Sequence, residues 1–439
     1  MHGVSTERGK ILHSSDPGSV FRSKAARFHA GILAWTVLGA GLENVFSQEA
    51  LQSSISGEQM AAARRRALEN PTGNIQLGPV NLTAGGALGV ELNNNINYSD
   101  IGRQQDIIFR PAVSMTASAP VTEANGVYAT FDLSYAKYLK YTQNDRLVIQ
   151  PGTQLGFDIY VKDFHFDVHD NVALKQEPVA QGTLSGVADY GEFSNTAGLG
   201  VDWDLNDLTV SLGYDHETVI STVSSFSYLD HSSENFFGRA AFQFSQALTT
   251  GPEASAGLTS YNEPVLDDSV NYSFGGFINW QPTTLFTSNF RFGYTAFSFT
   301  SHTARPAAPD SNAYYLGFQI GHRVNEVISY SIDAGRQVRL GVNSELIDIW
   351  YARPRIDWHI FEKIGLETHM VFENGTDSGN PIQHANETYT LLGGGISANY
   401  LIMEKVLVGV SYDYYVKDSD LASRNYHQHK VEIRVQYTF

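Results

Sequence analysis

From Val80 to the C-terminal Phe439 the chain keeps one texture, and that texture limits what it can fold into. Segments of 10 to 16 residues alternate apolar and polar side chains, turn residues divide them, and no stretch of helical period interrupts them. Successive side chains of a strand point to opposite faces, so each segment presents one apolar face and one polar face. The last segment, "HKVEIRVQYTF", shows this plainly. Val431, Ile433, Val435 and Tyr437 fall on one side, with Lys430, Glu432, Arg434, Gln436 and Thr438 on the other. Such a strand suits a boundary between oil and water, in a half-buried soluble sheet or in a membrane barrel.

The links between segments separate those two cases. Short links such as "LND" at 205–207, "QPTT" at 281–284, "VNEV" at 324–327, "FEKI" at 361–364 and "IMEK" at 402–405 take turns with long ones. The long ones include "KQEPVAQGTLSGVADYGE", "STVSSFSYLDHSS", "SHTARPAAPDS", "NGTDSGNPIQHAN" and "KDSDLASRN". Tight turns at one end and long loops at the other describe a barrel threaded through an outer membrane. The predicted fold is all-β: a closed antiparallel meander of about 18 strands, with 16 as the alternative count. Mean hydropathy is only −0.21, as alternation requires, and no apolar run is long enough for a spanning helix.

In "IWYARPRIDWHI", Trp350, Ala352, Pro354, Ile356, Trp358 and Ile360 share a face, and Tyr351, Arg353, Arg355, Asp357 and His359 share the other. At about 3.3 Å per residue and a tilt of about 40°, Trp350 and Trp358 stand about 20 Å apart along the membrane normal, the separation of two aromatic girdles. The same reading sends Ile328, Tyr330, Ile332, Ala334 and Val338 outward, and likewise Val406, Val408, Val410, Tyr412 and Tyr414.

The N-terminus sets the compartment. Arg22, Lys24 and Arg27 precede the apolar run "AGILAWTVLGAGL", and Val45 and Ser47 flank Phe46 in a small-x-small arrangement. This predicts a secretory signal over 1–47, cut after Ser47, with a long basic lead. Residues 48–79 are expected to form a periplasmic segment containing a short helix around "GEQMAAARRRALENPTG", and 80–439 the barrel. With no cysteine, disulfides and thiolate chemistry are excluded. The formal charge of −17 argues against a nucleic-acid partner.

The polar faces of the C-terminal segments carry Arg291, Arg323, Arg339, Arg353 and Arg355, with Asp357, Glu367, Asp413, Glu432 and Arg434 among them. In a barrel these line the lumen, where oriented charge sorts polar solutes. Arg291, Arg353 and Arg355, near mid-strand, are the expected constriction, and "QGTLSGVADYGEF" is the candidate for a long loop folded inward as a plug. More often, such charges simply pair with one another. "HFDVH" puts His165, Asp167 and His169 on one face, but steps of about 6.6 Å are too long to close three ligands on one ion. No phosphate-loop or helical zinc motif is present, and neither a cofactor nor an enzymatic site is expected. A lipid hydrolase on a barrel wall would show an outward histidine beside a hydroxyl, whereas His165, His169, His359 and His369 fall on polar faces.

The final "VEIRVQYTF", through Ile433, Val435, Tyr437 and Phe439, resembles the C-terminal signal of outer-membrane β-barrel proteins that the barrel-assembly machinery reads. "GALGVELNNNINYSDIGRQQDIIFRPAVSM" is similar to the first hairpin of putative β-barrel porins found near polysaccharide-export genes. These resemblances imply an outer-membrane location, with lipids and the assembly machinery as partners. The wide, charge-lined lumen predicts small polar or anionic solutes, or polysaccharide, as cargo. A homo-oligomer and a closed structural or adhesive barrel stay open as alternatives.

Overall fold

The computed structural model describes residues 75–439 apart from 123, 176–181, 183, 304–305 and 379–385. The predicted signal sequence, its cleavage point and the short helix lie outside the described residues. A three-residue strand, β1 (Ile75–Leu77), pairs with the start of β2 (Val80–Asn93). There follow β3 (Asp106–Pro120), β4 (Gly126–Tyr138), β5 (Arg146–Val161), β6 (Phe164–Lys175), β7 (Glu192–Asp204) and β8 (Leu208–Ser221). Next come β9 (His231–Ser245), β10 (Leu248–Tyr261), β11 (Asp268–Thr283), β12 (Phe286–Thr300), β13 (Ser311–Arg323) and β14 (Ile328–Leu340). The last five are β15 (Leu346–Phe361), β16 (Ile364–Ser378), β17 (Thr388–Met403), β18 (Val406–Ser419) and β19 (Tyr426–Thr438).

Strands β2 to β19 pair antiparallel with their sequence neighbours, and β19 returns to β2 in a ladder from Lys430↔Asn93 to Thr438↔Gly85. The sheet is therefore a closed barrel of 18 strands with no free edge. The even count places the starts of β2 and β18 and the ends of β3 and β19 at one end, where the turns are short. Lys162 and Asn206 adopt positive φ of 54° and 67° in two of these turns. Phe439 closes the same end by donating its backbone N–H to the Ala84 carbonyl at 2.9 Å.

Strand ends run past several of the expected links. β11 continues to Thr283, so the turn after it is shorter than "QPTT", and β16 continues to Ser378, so "NGTDS" is strand. Outward faces follow the alternation: Trp350, Ile356, Trp358, Val410, Tyr412, Ile433 and Val435 are all exposed on the wall, while Gln428 and Gln436 are buried on the other face. Val338 departs from it. Expected outward, it is only 4% exposed, packed with Phe297, Phe299, Leu340 and Leu346. Beyond the last β13–β14 pair, Leu316↔Arg336, the end of β14 packs against the ends of β12 and β15, which cover Val338.

The lumen side of the wall is built from a repeated joint. An inward glycine leaves a socket, and a large side chain from an adjacent strand lies flat across it. A Cβ added at Gly293 would meet the Tyr315 ring, one at Gly213 the Phe237 ring, one at Gly393 the Tyr415 ring, and one at Gly375 the Tyr389 ring. Aromatic cover of a strand glycine restores the packing that the missing side chain forfeits.

Candidate functional site

These joints position the charges of the lumen. Tyr315 on β13 crosses the sockets of Gly293 on β12 and Gly275 on β11, and its hydroxyl lies 3.4 Å from Glu253 on β10. The Glu253 carboxylate is also approached by Arg239 of β9 at 3.3 Å and by Arg291 of β12 at 3.4 Å. Arg239 in turn stands over the Phe277 ring at 4.4 Å, a cation–π contact. Two guanidiniums thus converge on one carboxylate, and the three groups together carry net positive charge. Arg291 was expected from the sequence and Arg239 was not. "ENFFGRAAF" masks it, because Phe236 faces out while Phe237 faces in over its socket, so the apolar-polar alternation breaks.

A second charged group spans β14 to β18. Arg353 lies 3.9 Å from both Asp333 and Glu373, and the Glu373 carboxylate also accepts a hydrogen bond from the Tyr389 hydroxyl. Arg355 pairs with Asp357 at 3.3 Å and Glu367 at 2.9 Å. His369 reaches Asp413 at 3.4 Å across the Gly395 socket. A third group lies on β2, β3 and β19, where Glu91 accepts a hydrogen bond from Arg110 at 2.9 Å. There the Glu432 carboxylate fills the socket at Gly89. Arg434 sits within electrostatic reach of Glu432 and of Asp132.

Two arginines stand elsewhere than mid-lumen. Arg323 is the last residue of β13 and is exposed at the short-turn end. Arg339 is buried at the opposite end, near Lys175 and Tyr389. Both positions follow from the strand bounds, which single-sequence periodicity fixes only loosely.

The "HFDVH" face forms a belt of histidine–carboxylate pairs. His165 is held between Asp158 at 2.8 Å and Asp202 at 3.2 Å, and His169 between Asp167 at 2.5 Å and Asp215 at 3.1 Å. Both ring nitrogens of each histidine therefore face carboxylates. Among the described residues no group of three or more such side chains is arranged to hold a metal ion.

One histidine that the sequence reading did not place, His216, faces outward. Its Nδ1 is 2.9 Å from Glu234 and its Nε2 3.3 Å from the Thr218 hydroxyl, while Tyr214 donates to Glu234 at 2.6 Å. The connectivity is that of a nucleophile, base and acid. However, β8 pairs with β7 and β9 along this whole stretch, which commits the strand amides to the ladders. The amides of these paired residues are therefore taken up by the sheet rather than pointed at the group.

The long-loop end is filled by loops. Leu184 and Tyr190, from the segment between β6 and β7, are buried with Phe226, Leu229, Tyr261, Leu266 and Val342, contributed by or beside three further loops. The same segment is tied down by polar contacts. Gly186 donates to the Tyr98 carbonyl at 3.0 Å, Ser185 donates to the Arg424 carbonyl at 2.9 Å, and Lys417 donates to Ser185 at 3.1 Å. Asp189 pairs with Arg146. Gly182 packs on Glu373 and Tyr389, so the segment reaches the lumen wall. Burial pushes the Tyr228 phenol up to about 12, with Arg424 pulling slightly the other way, and burial beside Glu192 holds Tyr190 well above the ordinary range. The described residues of the candidate plug segment are thus folded inward. Gln181 and Thr183 of that segment lie outside the described residues.

The sequence matches no protein-family model and no curated protein. Among solved structures, OccK2 (OpdF) of Pseudomonas aeruginosa, in complex with glucuronate, is 11% identical over 83% of this chain and 98% of that one, with a TM-score of 0.48. The outer-membrane protein OpdK of the same organism is 10% identical over 82% and 99%, with a TM-score of 0.47. A BenF-like porin of Pseudomonas fluorescens Pf-5 gives the same 10%, 82%, 99% and 0.47.

Proposed function

We propose that this chain is an outer-membrane channel for the passive diffusion of small polar or anionic solutes. One observation carries the reading: a closed barrel of 18 strands with an apolar outer wall and a lumen wall of positioned guanidiniums and carboxylates. A barrel of this strand number is wide enough for an aqueous path, and fixed charge along such a path selects by charge. The converging Arg239 and Arg291 are the group best suited to meet a solute carboxylate, since a guanidinium binds that group through two parallel N–H donors. The neighbours carrying the names porin and outer-membrane protein agree with this reading, and no enzymatic role is proposed.

In this reading Ile433, Val435, Tyr437 and Phe439 serve the assembly machinery, and Trp350 and Trp358 anchor the two interfaces. Passage of polysaccharide is the less favoured alternative, because the inward segment around Leu184 and Tyr190 narrows the end through which a polymer would leave. Planar-bilayer conductance of the purified protein tests the proposal. Stable ohmic steps support it, and silence from a correctly folded, heat-modifiable barrel refutes it in favour of a closed structural barrel.

A further inference from the structure

The carboxylates and guanidiniums of the lumen are not presented equally. In the β9–β13 group the shared acid is sunk, with the Glu253 side chain 2% exposed against 11% for both Arg239 and Arg291. In part of the β14–β16 group the order reverses, although Glu373 beside Arg353 and Glu91 beside Arg110 stay sunk at 4% and 3%. Asp333 and Asp357 are 29% and 28% exposed, against 14% for Arg353 and 10% for Arg355, which they flank. Asp202, 32% exposed, stands two strands from Arg239: its carboxylate accepts from Ser211 at 2.7 Å, and Ser211 is the direct cross-strand partner of Arg239. Around this wall the guanidiniums of β9 and β12 stand between exposed carboxylates on β7 and on β14 and β15.

A purely anionic solute gains at Arg239 and Arg291 and is repelled by Asp202 and Asp333, and a purely cationic one meets the converse. A molecule carrying both an ammonium and a carboxylate group can turn so that each end faces its complement, and it brings no net charge into the lumen. Building on the channel reading above, we propose that the preferred solutes are dipolar, amino-acid-like molecules, with the carboxylate taken by Arg239 and Arg291 and the ammonium group by Asp202.

The test uses the full mature chain in liposomes and four probes of similar length: 5-aminovalerate, glutarate, 1,5-diaminopentane and xylitol. Osmotic swelling and radiolabel uptake are measured against empty vesicles. The expected result is entry of 5-aminovalerate faster than each of the others by roughly threefold or more, as charge-lined pores discriminate. Fastest entry of glutarate or of the diamine overturns the dipolar assignment, and so does equal entry of all four. Entry of none, from protein that still shows heat-modifiable migration, overturns the channel reading itself. Two variants locate the stations. E253Q is expected to raise glutarate entry relative to 5-aminovalerate, and D202N to remove the advantage of 5-aminovalerate over glutarate. Unchanged ratios in both variants would refute the placement.

Discussion

Lys417 and Glu387 form an ion pair at 2.7 Å with neither side chain exposed to solvent. Glu387 is also bound by Arg424 and accepts from Ser419 at 2.7 Å, and the Lys417 ammonium stands 4.8 Å over the Tyr389 ring. Lys417 is thus shared between the barrel wall and Ser185 of the inward segment. Breaking a buried pair costs about 3–5 kcal/mol where the remaining charge is left uncompensated; Arg424 still pairs with Glu387, so the loss of Lys417 costs less than that. K417M is therefore expected to loosen the segment around Ser185 while the barrel ladders hold. Amide exchange should quicken at 184–190 and not in β10 to β12, and channel noise should rise. Unchanged exchange in 184–190 would show that the apolar contacts of Leu184 and Tyr190 suffice to hold it.

Replacing 184–190 by a short Gly-Ser linker removes both the polar ties and the apolar anchors. Since every strand pairing lies outside this segment, heat-modifiable migration should persist. Single-channel conductance is expected to increase. If it does not, the constriction lies with the wall charges rather than with the loops.

The arginines are predicted to differ in their effect on ion preference. R291Q and R239Q each remove charge from a group with net positive charge, so reversal potentials in a salt gradient should move toward cations. R353A and R355A should move the same way but less, because their exposed partners Asp333 and Asp357 already dominate the local surface. A larger shift at Arg353 or Arg355 than at Arg291 would contradict this ranking.

How much of this was legible in the sequence depends on the kind of feature. Alternation in "IWYARPRIDWHI" and "KVEIRVQYTF" reports the faces directly, because a two-residue period is a local property. The strand count also followed from segment spacing, whereas the segment between β6 and β7 stood only as a candidate among the long loops. The joints did not, because Tyr315 reaches across to Gly293 and Gly275 on neighbouring strands, and cross-strand register is not written in any one segment. Arg239 was hidden for that reason: Phe237 beside it looks like a break in the pattern until Gly213 is placed beneath its ring. Val338 was misplaced because the packing at the end of β14 is a tertiary fact.

The joint at Gly293 links packing to selectivity. A valine there would drive methyl groups into the Tyr315 ring, which holds its hydroxyl 3.4 Å from Glu253. Overpacking of this kind costs about 1–3 kcal/mol, so G293V is expected to lower the urea midpoint of the folded barrel. The displaced ring would also leave Glu253 without its phenol donor and alter how Arg239 and Arg291 share the carboxylate. Ion preference should therefore shift in G293V, whereas Y315F, which keeps the ring in its socket, should shift it with little loss of stability. If G293V destabilises the barrel but leaves the reversal potential unmoved, Tyr315 packs the wall without positioning the arginines.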